Sequence, residues 1–364
     1  QFGGERSFKY YLKKAKENGF RVMLDGVFNH LSKENEWFKK ALRGDKTHMS
    51  KFTFYKNGYR SWNNFEGMPE WNWEELEVRN YLLSVVEHYL RLGIDGWRLD
   101  VGFDVGYVNN ALINSRAKSV STEKYVVTET WNFPSNWTVV DGIMNYHFRE
   151  VVLGYLKGEF RNPAQALKKA YDETPNIYGC WNMLDSHDTE RLATVIPDKG
   201  LRKLAVVLQF TCPGVPFVYY GTEIGLTGGR DPECRAPMPW NEELWDNELR
   251  GFYKKLINIR KQEIALKVGG FEVLNEEPIV FLRKAPYVLD DVIVAVNKDS
   301  EENVSVSVPD GRLLAGTTFV DLMTGEEFWI VGGVLKFNVP HKGFRILKAV
   351  DKSKKGYTQY KRIY

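Results

Sequence analysis

Four acidic residues fall at the carboxyl ends of apolar runs that predict β-strands: Asp25, Asp100, Glu129 and Asp188. In a barrel of parallel strands, that end of the sheet carries the active site. Two carboxylates about 5 Å apart, one a nucleophile and one a proton donor, suit the retaining hydrolysis of a glycosidic bond. Taken singly, each carboxylate is as well explained as an unrelated surface residue.

An arginine lies two positions before one of these carboxylates, in the segment GWRLDV at residues 96–101. The segment reads as a buried strand, where a guanidinium and a carboxylate are costly unless they are paired or used. Arg98 and Asp100 are therefore candidates for a functional pair.

The composition is that of a globular protein. Of its 364 residues 43% are hydrophobic and 27% charged, and the net charge of +3 predicts neither nucleic-acid binding nor attachment to an anionic membrane. No apolar run has the length of a membrane span and no signal peptide is visible, so we expect a cytoplasmic protein. The three cysteines are widely spaced, which argues against a disulfide framework and a structural zinc site.

Strands and helices alternate through the first three quarters of the chain, as in a parallel sheet whose strands are joined by crossover helices. The predicted strands cover residues 20–26, 93–101, 124–130, 142–148, 179–188 and 214–221. The predicted helices cover residues 5–19, 74–92, 104–119, 199–211 and 246–263, with further helices around 148–172. We predict an α/β barrel over residues 1–267.

Two regions depart from this alternation. Residues 31–73 are polar and aromatic without a clear period, which predicts an excursion loop or small subdomain. Its tryptophans Trp62, Trp71 and Trp73 raise the hypothesis of a carbohydrate site, although most aromatic residues of the chain are expected in the core. Short alternating strands over residues 268–350 predict a small antiparallel β-sandwich domain, and residues 351–364 form a basic tail.

Several segments carry a resemblance to a known family. DGVFNH (25–30), GWRLDV (96–101), TETW (128–131) and LDSHDTER (184–191) resemble, in order, the signature segments of the α-amylase family of glycoside hydrolases. GMPEWN (67–72) and the segment 214–240 resemble its neopullulanase, cyclomaltodextrinase and maltogenic amylase branch. The resemblance implies a TIM-type (β/α)8 barrel followed by the β-sandwich domain.

The resemblance also implies roles for the charged residues. Asp100 matches the nucleophile, Glu129 the general acid/base and Asp188 the carboxylate that binds sugar hydroxyls and stabilises the transition state. Arg98 matches the family's arginine, which would keep Asp100 ionised and oriented, since alternate strand residues share a face. Glu129 must start the reaction protonated, so we expect it in a less cationic setting.

Further positions are implied to contact or support the substrate. They are His187 and His30, which match sugar-binding histidines, Trp131 as a platform for an acceptor sugar, and Phe103 and Asp104, where many α-amylases have a Lys-His pair. Asp104 fits the cyclodextrin-degrading branch. Asp25 is expected to support the strand ends. Asn29 matches a calcium ligand of many relatives, but no matching set of oxygen ligands is visible nearby, so no cofactor is expected to be required and a structural calcium stays open.

The family's barrel has two strands and a helix before the segment that matches residues 2–20. Those elements would carry a tyrosine and a histidine of the sugar site. We therefore expect another segment of the same chain, or a second chain, to complete the barrel, and a homodimer is a further possibility.

The leading functional hypothesis is a retaining glycoside hydrolase acting on α-glucosidic bonds of maltodextrins, cyclodextrins or related α-glucans. One alternative is a glucanotransferase, in which a sugar hydroxyl replaces water. Another is a non-catalytic carbohydrate-binding relative, but such proteins usually lose a carboxylate and this chain keeps Asp100, Glu129 and Asp188.

Overall fold

A computed structural model describes residues 3–308, 313 and 316–350, so the predicted basic tail at 351–364 lies outside the described residues. The chain divides into two compact units. The first comprises residues 1–131 and 136–144, and the second comprises residues 132–135 and 145–364. The predicted domain boundary near residue 268 stays a prediction.

The first unit is built on a parallel sheet flanked by helices. Its strands are β1 (Met23–Gly26), β2 (Phe54–Tyr55), β3 (Gly58–Tyr59), β4 (Gly96–Leu99), β5 (Tyr125–Thr130) and β6 (Gly142–Asn145). Its helices are α1 (Gly4–Glu17), α2 (Glu36–Leu42), α3 (Lys46–Met49), α4 (Leu76–Leu92), α5 (Gly102–Val105) and α6 (Tyr107–Val120). The sheet order is β1-β4-β5-β6, and β4 pairs in parallel with both β1 and β5.

Helix α4 shows why these residues fold as they do. Val78, Leu82, Val86 and Leu90 recur every four residues and form one buried stripe in the same core as β4. Gly93 ends the helix with φ of 121°, a conformation that glycine adopts at little cost. The chain then enters β4, whose four residues are all buried.

Residues 31–73 form an excursion with α2, α3 and the β2–β3 hairpin around a small core of Phe38, Ala41 and Phe52. The three tryptophans suspected at the sequence level have different surroundings. Trp73 is buried and donates to the Phe28 carbonyl at 3.0 Å, so it belongs to the core. Trp71 stacks on Phe52, and Trp62 lies against His30.

The second unit contains two parallel strands, their helices and an antiparallel sheet. Its helices are α7 (Tyr146–Lys157), α8 (Pro163–Glu173), α9 (Leu192–Val195), α10 (Lys199–Thr211), α11 (Asn247–Gln262) and α12 (Ile264–Val268). Strands β7 (Trp181–Met183) and β8 (Val215–Phe217) pair in parallel. The remaining strands are β9 (Gly270–Asn275), β10 (Ile279–Lys284), β11 (Val292–Asn297), β12 (Glu302–Ser307), β13 (Thr318–Asp321), β14 (Glu327–Val331), β15 (Val334–Val339) and β16 (Gly343–Val350).

These last eight strands form one antiparallel sheet in the order β12-β15-β14-β13-β16-β11-β10-β9, which confirms the predicted antiparallel domain. Strand β11 is apolar on both faces because it separates two cores. Ile293 and Ala295 pack in a core formed by residues of the antiparallel sheet. Val292 and Val294 pack in a second core, which includes residues of helices α10 and α11.

The strands predicted at 20–26, 93–101, 142–148, 179–188 and 214–221 are all shorter in the structure, and two of them show why. The strand at 142–148 ends at Asn145, whose side chain accepts the Phe148 N–H and starts α7. The strand at 179–188 ends at Met183. Beyond it, Ser186 N–H donates to Thr189 Oγ1 at 2.9 Å and Asp188 N–H to Ser186 Oγ at 3.2 Å. These side chains replace the strand ladder, so Asp188 lies in a turn rather than at a strand end.

Candidate active site

Arg98 is the centre of a carboxylate cluster in the first unit. The side chain is buried, and its Nη1 donates to Asp25 Oδ1 at 2.8 Å and to Asp100 Oδ1 at 2.7 Å. Its Nη2 donates to Glu129 Oε2 at 2.7 Å, and its Nε contacts Met144 Sδ at 3.3 Å. One guanidinium therefore binds three carboxylates, which resolves the cost of burying it.

The sheet register explains the cluster. Asp25 on β1 is the direct partner of Arg98, and Val127 on β5 is its partner on the other side. Asp100 and Glu129 each lie two residues beyond that level. Because side chains alternate along a strand, all four charged side chains project from one face.

The surrounding carboxylates stabilise the positive charge of Arg98. Burial by itself would lower the pKa of Arg98, but the attraction of Asp25, Glu129 and Asp100 outweighs it and raises that pKa. The guanidinium is therefore a permanent cation.

The surroundings of Glu129 differ from the expected less cationic setting. It is buried, and its Oε2 accepts both the Arg98 guanidinium and the Val101 N–H, the latter at 3.0 Å. The expected less cationic setting is therefore wrong, because Glu129 shares with Asp100 the guanidinium that was assigned to Asp100 alone. Both of these donors face the same oxygen of the carboxyl group.

The backbone just after Asp100 is strained. Val101 has φ of 39° and ψ of 48°, the left-handed region, which is a genuine outlier for a β-branched residue. Its N–H is bound by Glu129, and the following Gly102 passes so close to Thr128 that an added Cβ would lie 1.6 Å from Thr128 Oγ1. Strain of this kind clusters at functional sites, where the surroundings enforce it. Sequence reasoning had not identified either residue.

His30 lies beside Asp100. Its Nε2 is 4.0 Å from Asp100 Oδ2, and its ring centroid is 5.6 Å from that of Trp62. Burial lowers the pKa of His30 despite the attraction of Asp100, Glu70 and Asp104, so the ring is neutral at neutral pH. Trp62 is a neighbour of the cluster whose position only the structure establishes.

The remaining candidates of the first unit follow the strands β1, β4 and β5 along the chain. Burial raises the pKa of Asp104, and the attraction of Arg60 and His30 opposes that increase in part. The neighbouring Phe103 is 37% exposed. Trp131, just past β5, is 52% exposed and could stack on a sugar. Asn29 is buried, and its Nδ2 lies 3.5 Å from His30 Nδ1.

The described residues hold no group of three or more His, Cys, Asp or Glu side chains placed to bind a metal ion. The Asn29 amide faces the His30 ring, and its backbone carbonyl accepts the Trp71 N–H at 2.9 Å. The calcium that the resemblance leaves open gains no support from these contacts.

The second unit holds the other two candidates. His187 Nε2 is 2.9 Å from Asp188 Oδ2, and Arg235 Nη2 donates to Asp188 Oδ1 at 3.0 Å. Arg235 also pairs with Asp231 at 3.2 Å. Arg235 was not singled out from the sequence, although it lies within the 214–240 segment that carried the resemblance.

Comparison with known families decides the affiliation. The family described as "Alpha amylase, catalytic domain" matches residues 1–65 and 56–269, and "Maltogenic Amylase, C-terminal domain" matches residues 271–346. The chain belongs to the α-amylase family. This α-amylase family membership confirms the predicted TIM-type barrel with an antiparallel C-terminal domain.

Relatives of this α-amylase family chain fall in the branch that the motifs indicated. Neopullulanase 2 of Thermoactinomyces vulgaris is 33% identical over 94% of this chain and 62% of its own length. A cyclomaltodextrinase of Bacillus sp. is 34% identical over 82% of this chain and 58% of its own. The chain thus spans about three fifths of the length of these curated relatives.

A solved structure supports the same fold. The cyclic α-maltosyl-(1→6)-maltose hydrolase from Arthrobacter globiformis, in its ligand-free form, superimposes with a TM-score of 0.83 and 27% identity. The match covers 96% of this chain and 79% of that one.

In the described part of the chain, no helix combines the length and apolar character that crossing a bilayer requires.

Proposed function

We propose that the protein is a retaining glycoside hydrolase that cleaves α-glucosidic bonds of maltodextrins, cyclodextrins or related α-glucans. The observation that carries the proposal is the binding of Asp100 and Glu129 to adjacent nitrogens of one guanidinium. That arrangement is compatible with the spacing of about 5 Å between carboxyl groups that retention requires.

Asp100 is the proposed nucleophile. Arg98 donates to it and orients it, and the strained turn at Val101 fixes the backbone behind it. Its carboxylate attacks the anomeric carbon while Glu129 gives a proton to the departing oxygen, so that the glycosidic bond breaks as the glycosyl-enzyme forms. Asp188 and His187 are proposed to bind the hydroxyls of the cleaved sugar.

Glu129 is the proposed acid/base. Its Oε2 accepts from Arg98 Nη2 and from the Val101 N–H, and these two donors fix the direction of the carboxyl group. In the second half of the reaction, Glu129 takes a proton from water, and the water oxygen displaces Asp100 from the sugar. No cofactor takes part in this scheme.

A glucanotransferase is the second candidate, because the exposed Trp131 follows β5 directly after the acid/base and could hold an acceptor sugar. Both candidates are tested by incubating the full-length protein with maltohexaose and cyclomaltohexaose and separating the products. Shorter maltodextrins support hydrolysis, and products longer than the substrate support transfer. Binding without any product would instead support the non-catalytic alternative, and Asp100→Asn is the control.

The edge of strand β1 indicates a further partner of the sheet. Among the described residues, β1 has a strand neighbour on one side only. Beside it lies a hollow of about 500 Å³ whose lining includes Phe8, Leu24, Val27, Phe28, Tyr89 and Trp97. We propose that another segment, from the same chain or from a second copy in a homodimer, covers this edge, since an open strand edge invites pairing. The proposed location is the cytoplasm.

A further inference from the structure

Arg191 is a fully buried arginine that the proposed chemistry does not use. It ends the LDSHDTER segment, three residues after Asp188, and lies in the second unit. Its Nη1 donates to the Tyr220 carbonyl at 2.6 Å, whereas its Nε and Nη2 have no hydrogen-bond partner within the described part of the chain. A buried guanidinium with open donors is costly, so something else must hold it there.

Two aromatic rings supply that stabilisation. The guanidinium carbon lies 3.9 Å from the ring centroid of Tyr219 and 4.6 Å from that of Tyr220. Both distances are well inside the range of a cation–π interaction, which gains strength when the cation is desolvated. The charge of Arg191 is therefore stabilised by the two tyrosines that follow β8, together with the buried carboxylate of Asp185.

The same stretch of chain, residues 219–236, is fastened to Arg191 and its neighbour helix by the backbone. Arg191 N–H donates to the Gly228 carbonyl at 3.0 Å, and Gly228 N–H donates to Thr194 Oγ1 at 2.9 Å. We call residues 219–236 the β8 segment. One side of the β8 segment is thus anchored to Arg191 and to α9.

The other side of the β8 segment contacts the proposed sugar-binding pair. Cys234 Sγ donates to the His187 carbonyl at 3.1 Å, and Arg235 donates to Asp188. The rings of Tyr219 and His187 lie 6.4 Å apart. The β8 segment therefore connects the buried Arg191 to both members of the pair.

We infer that Arg191 is a positioning residue: by stacking on Tyr219 and Tyr220 it fixes the β8 segment, and through that segment it sets the placement of His187 and Asp188 against the oligosaccharide. The inference rests on the proposed function only for the role of the pair; the anchoring of the segment stands independently of it. A side chain that merely fills the core would stabilise the fold without this directional effect.

The test compares Arg191→Lys with Arg283→Lys in the full-length protein. Arg283 is a matched control, because it is also fully buried and donates to backbone carbonyls, among them those of Thr211 and Gly269, but has no contact with the β8 segment among its described hydrogen bonds. Lysine keeps the charge at both positions and loses the planar fork. Thermal unfolding establishes that both variants are folded.

The first arm uses trypsin, which cleaves after Arg235 in the β8 segment. Native-state cleavage follows local opening, so Arg191→Lys should accelerate cleavage at Arg235 by about tenfold or more over wild type, and Arg283→Lys by less than about twofold. This arm needs no activity, so it decides the anchoring even if the protein proves inert on every α-glucan. Equal cleavage rates in the two variants would overturn the inference.

The second arm measures coupling to the pair. Arg191→Lys should lower kcat/KM on maltohexaose by about tenfold, because small misplacements of substrate-holding groups are costly in rate. In an Arg235→Gln background, which removes the contact between the β8 segment and the Asp188 carboxylate, the same change should cost less than about threefold, since that path to the pair is already broken. Equal losses in both backgrounds would contradict the inference while leaving the proposed function intact.

Discussion

Arg98 and Arg283 are both buried arginines, yet their surroundings are opposite. Arg98 binds the carboxylates of Asp25, Asp100 and Glu129, and their attraction raises its pKa. Arg283 donates to backbone carbonyls, and burial lowers its pKa to about 10. The carboxylates around Arg98 are groups that the proposed chemistry uses, whereas the carbonyls around Arg283 belong to chain segments that it ties together.

Glu129, which accepts from the guanidinium of Arg98, is the position where we expect the largest effect of a substitution. Glu129→Gln keeps the shape of the side chain but cannot give up a proton, so turnover on maltooligosaccharides should fall by about 10²- to 10⁴-fold. With an α-glucosyl fluoride the loss should be much smaller, because fluoride departs without protonation. Steady-state rates on the two substrates check this, and equal losses would remove the acid/base role.

Arg98→Lys tests the carboxylate-bound arginine itself. Lysine replaces a planar fork with a point charge, so it cannot bind Asp25, Asp100 and Glu129 at once in the present geometry. Turnover should fall by about 10²-fold, the loss expected from a misplaced reacting group, while circular dichroism shows a folded protein. Turnover close to wild type would mean that Arg98 is only a structural residue like Arg283.

Arg283→Lys should have the reverse profile. It loses hydrogen bonds to carbonyls such as those of Leu266 and Gly270, which should lower the free energy of unfolding by about 1–3 kcal/mol. The values of kcat and KM should stay within about twofold of wild type, because no reacting group touches it. Denaturant unfolding and steady-state kinetics measure the two quantities. A large loss of kcat at unchanged stability would show that Arg283 is more than a structural residue.

The smallest expected effect is the pH dependence from His30. Burial lowers its folded pKa, so the unfolded chain takes up a proton first as the pH falls below about 6.5, the usual histidine pKa. The contribution of neutral His30 is present above that pH and is lost as the pH falls through the lowered folded pKa. Unfolding free energies from pH 8 to 5 should therefore decline less steeply for His30→Asn, and identical slopes would argue against a buried neutral ring.

Much of this organisation could be read from the sequence because it depends on local periodicity. The stripe of α4 and the apolar β4 both lie where the pattern predicted them. The pairing of Arg98 with Asp100 was expected from the family resemblance together with strand alternation, and the structure shows this contact. The antiparallel strands after residue 268 were recognisable from their alternation and turn residues.

What the sequence did not reveal depends on contacts between distant segments. The approach of Glu129 to Arg98 follows from the β4–β5 register, which no local pattern specifies. The turn that holds Asp188 arises from side-chain bonds that compete with a strand. Arg235 contacts Asp188, 47 residues away along the chain, and the left-handed Val101 donates to Glu129, 28 residues away, so no local pattern indicates either role.

The central claim is that Asp100 forms a covalent glycosyl-enzyme with Glu129 as its acid/base. Proton NMR of the first product released from maltohexaose, recorded before mutarotation, tests it most directly. Two successive displacements from opposite faces must give the α-anomer. A β-anomer as the first product would contradict the account, because water would then have attacked the sugar directly and Asp100 could not be the nucleophile.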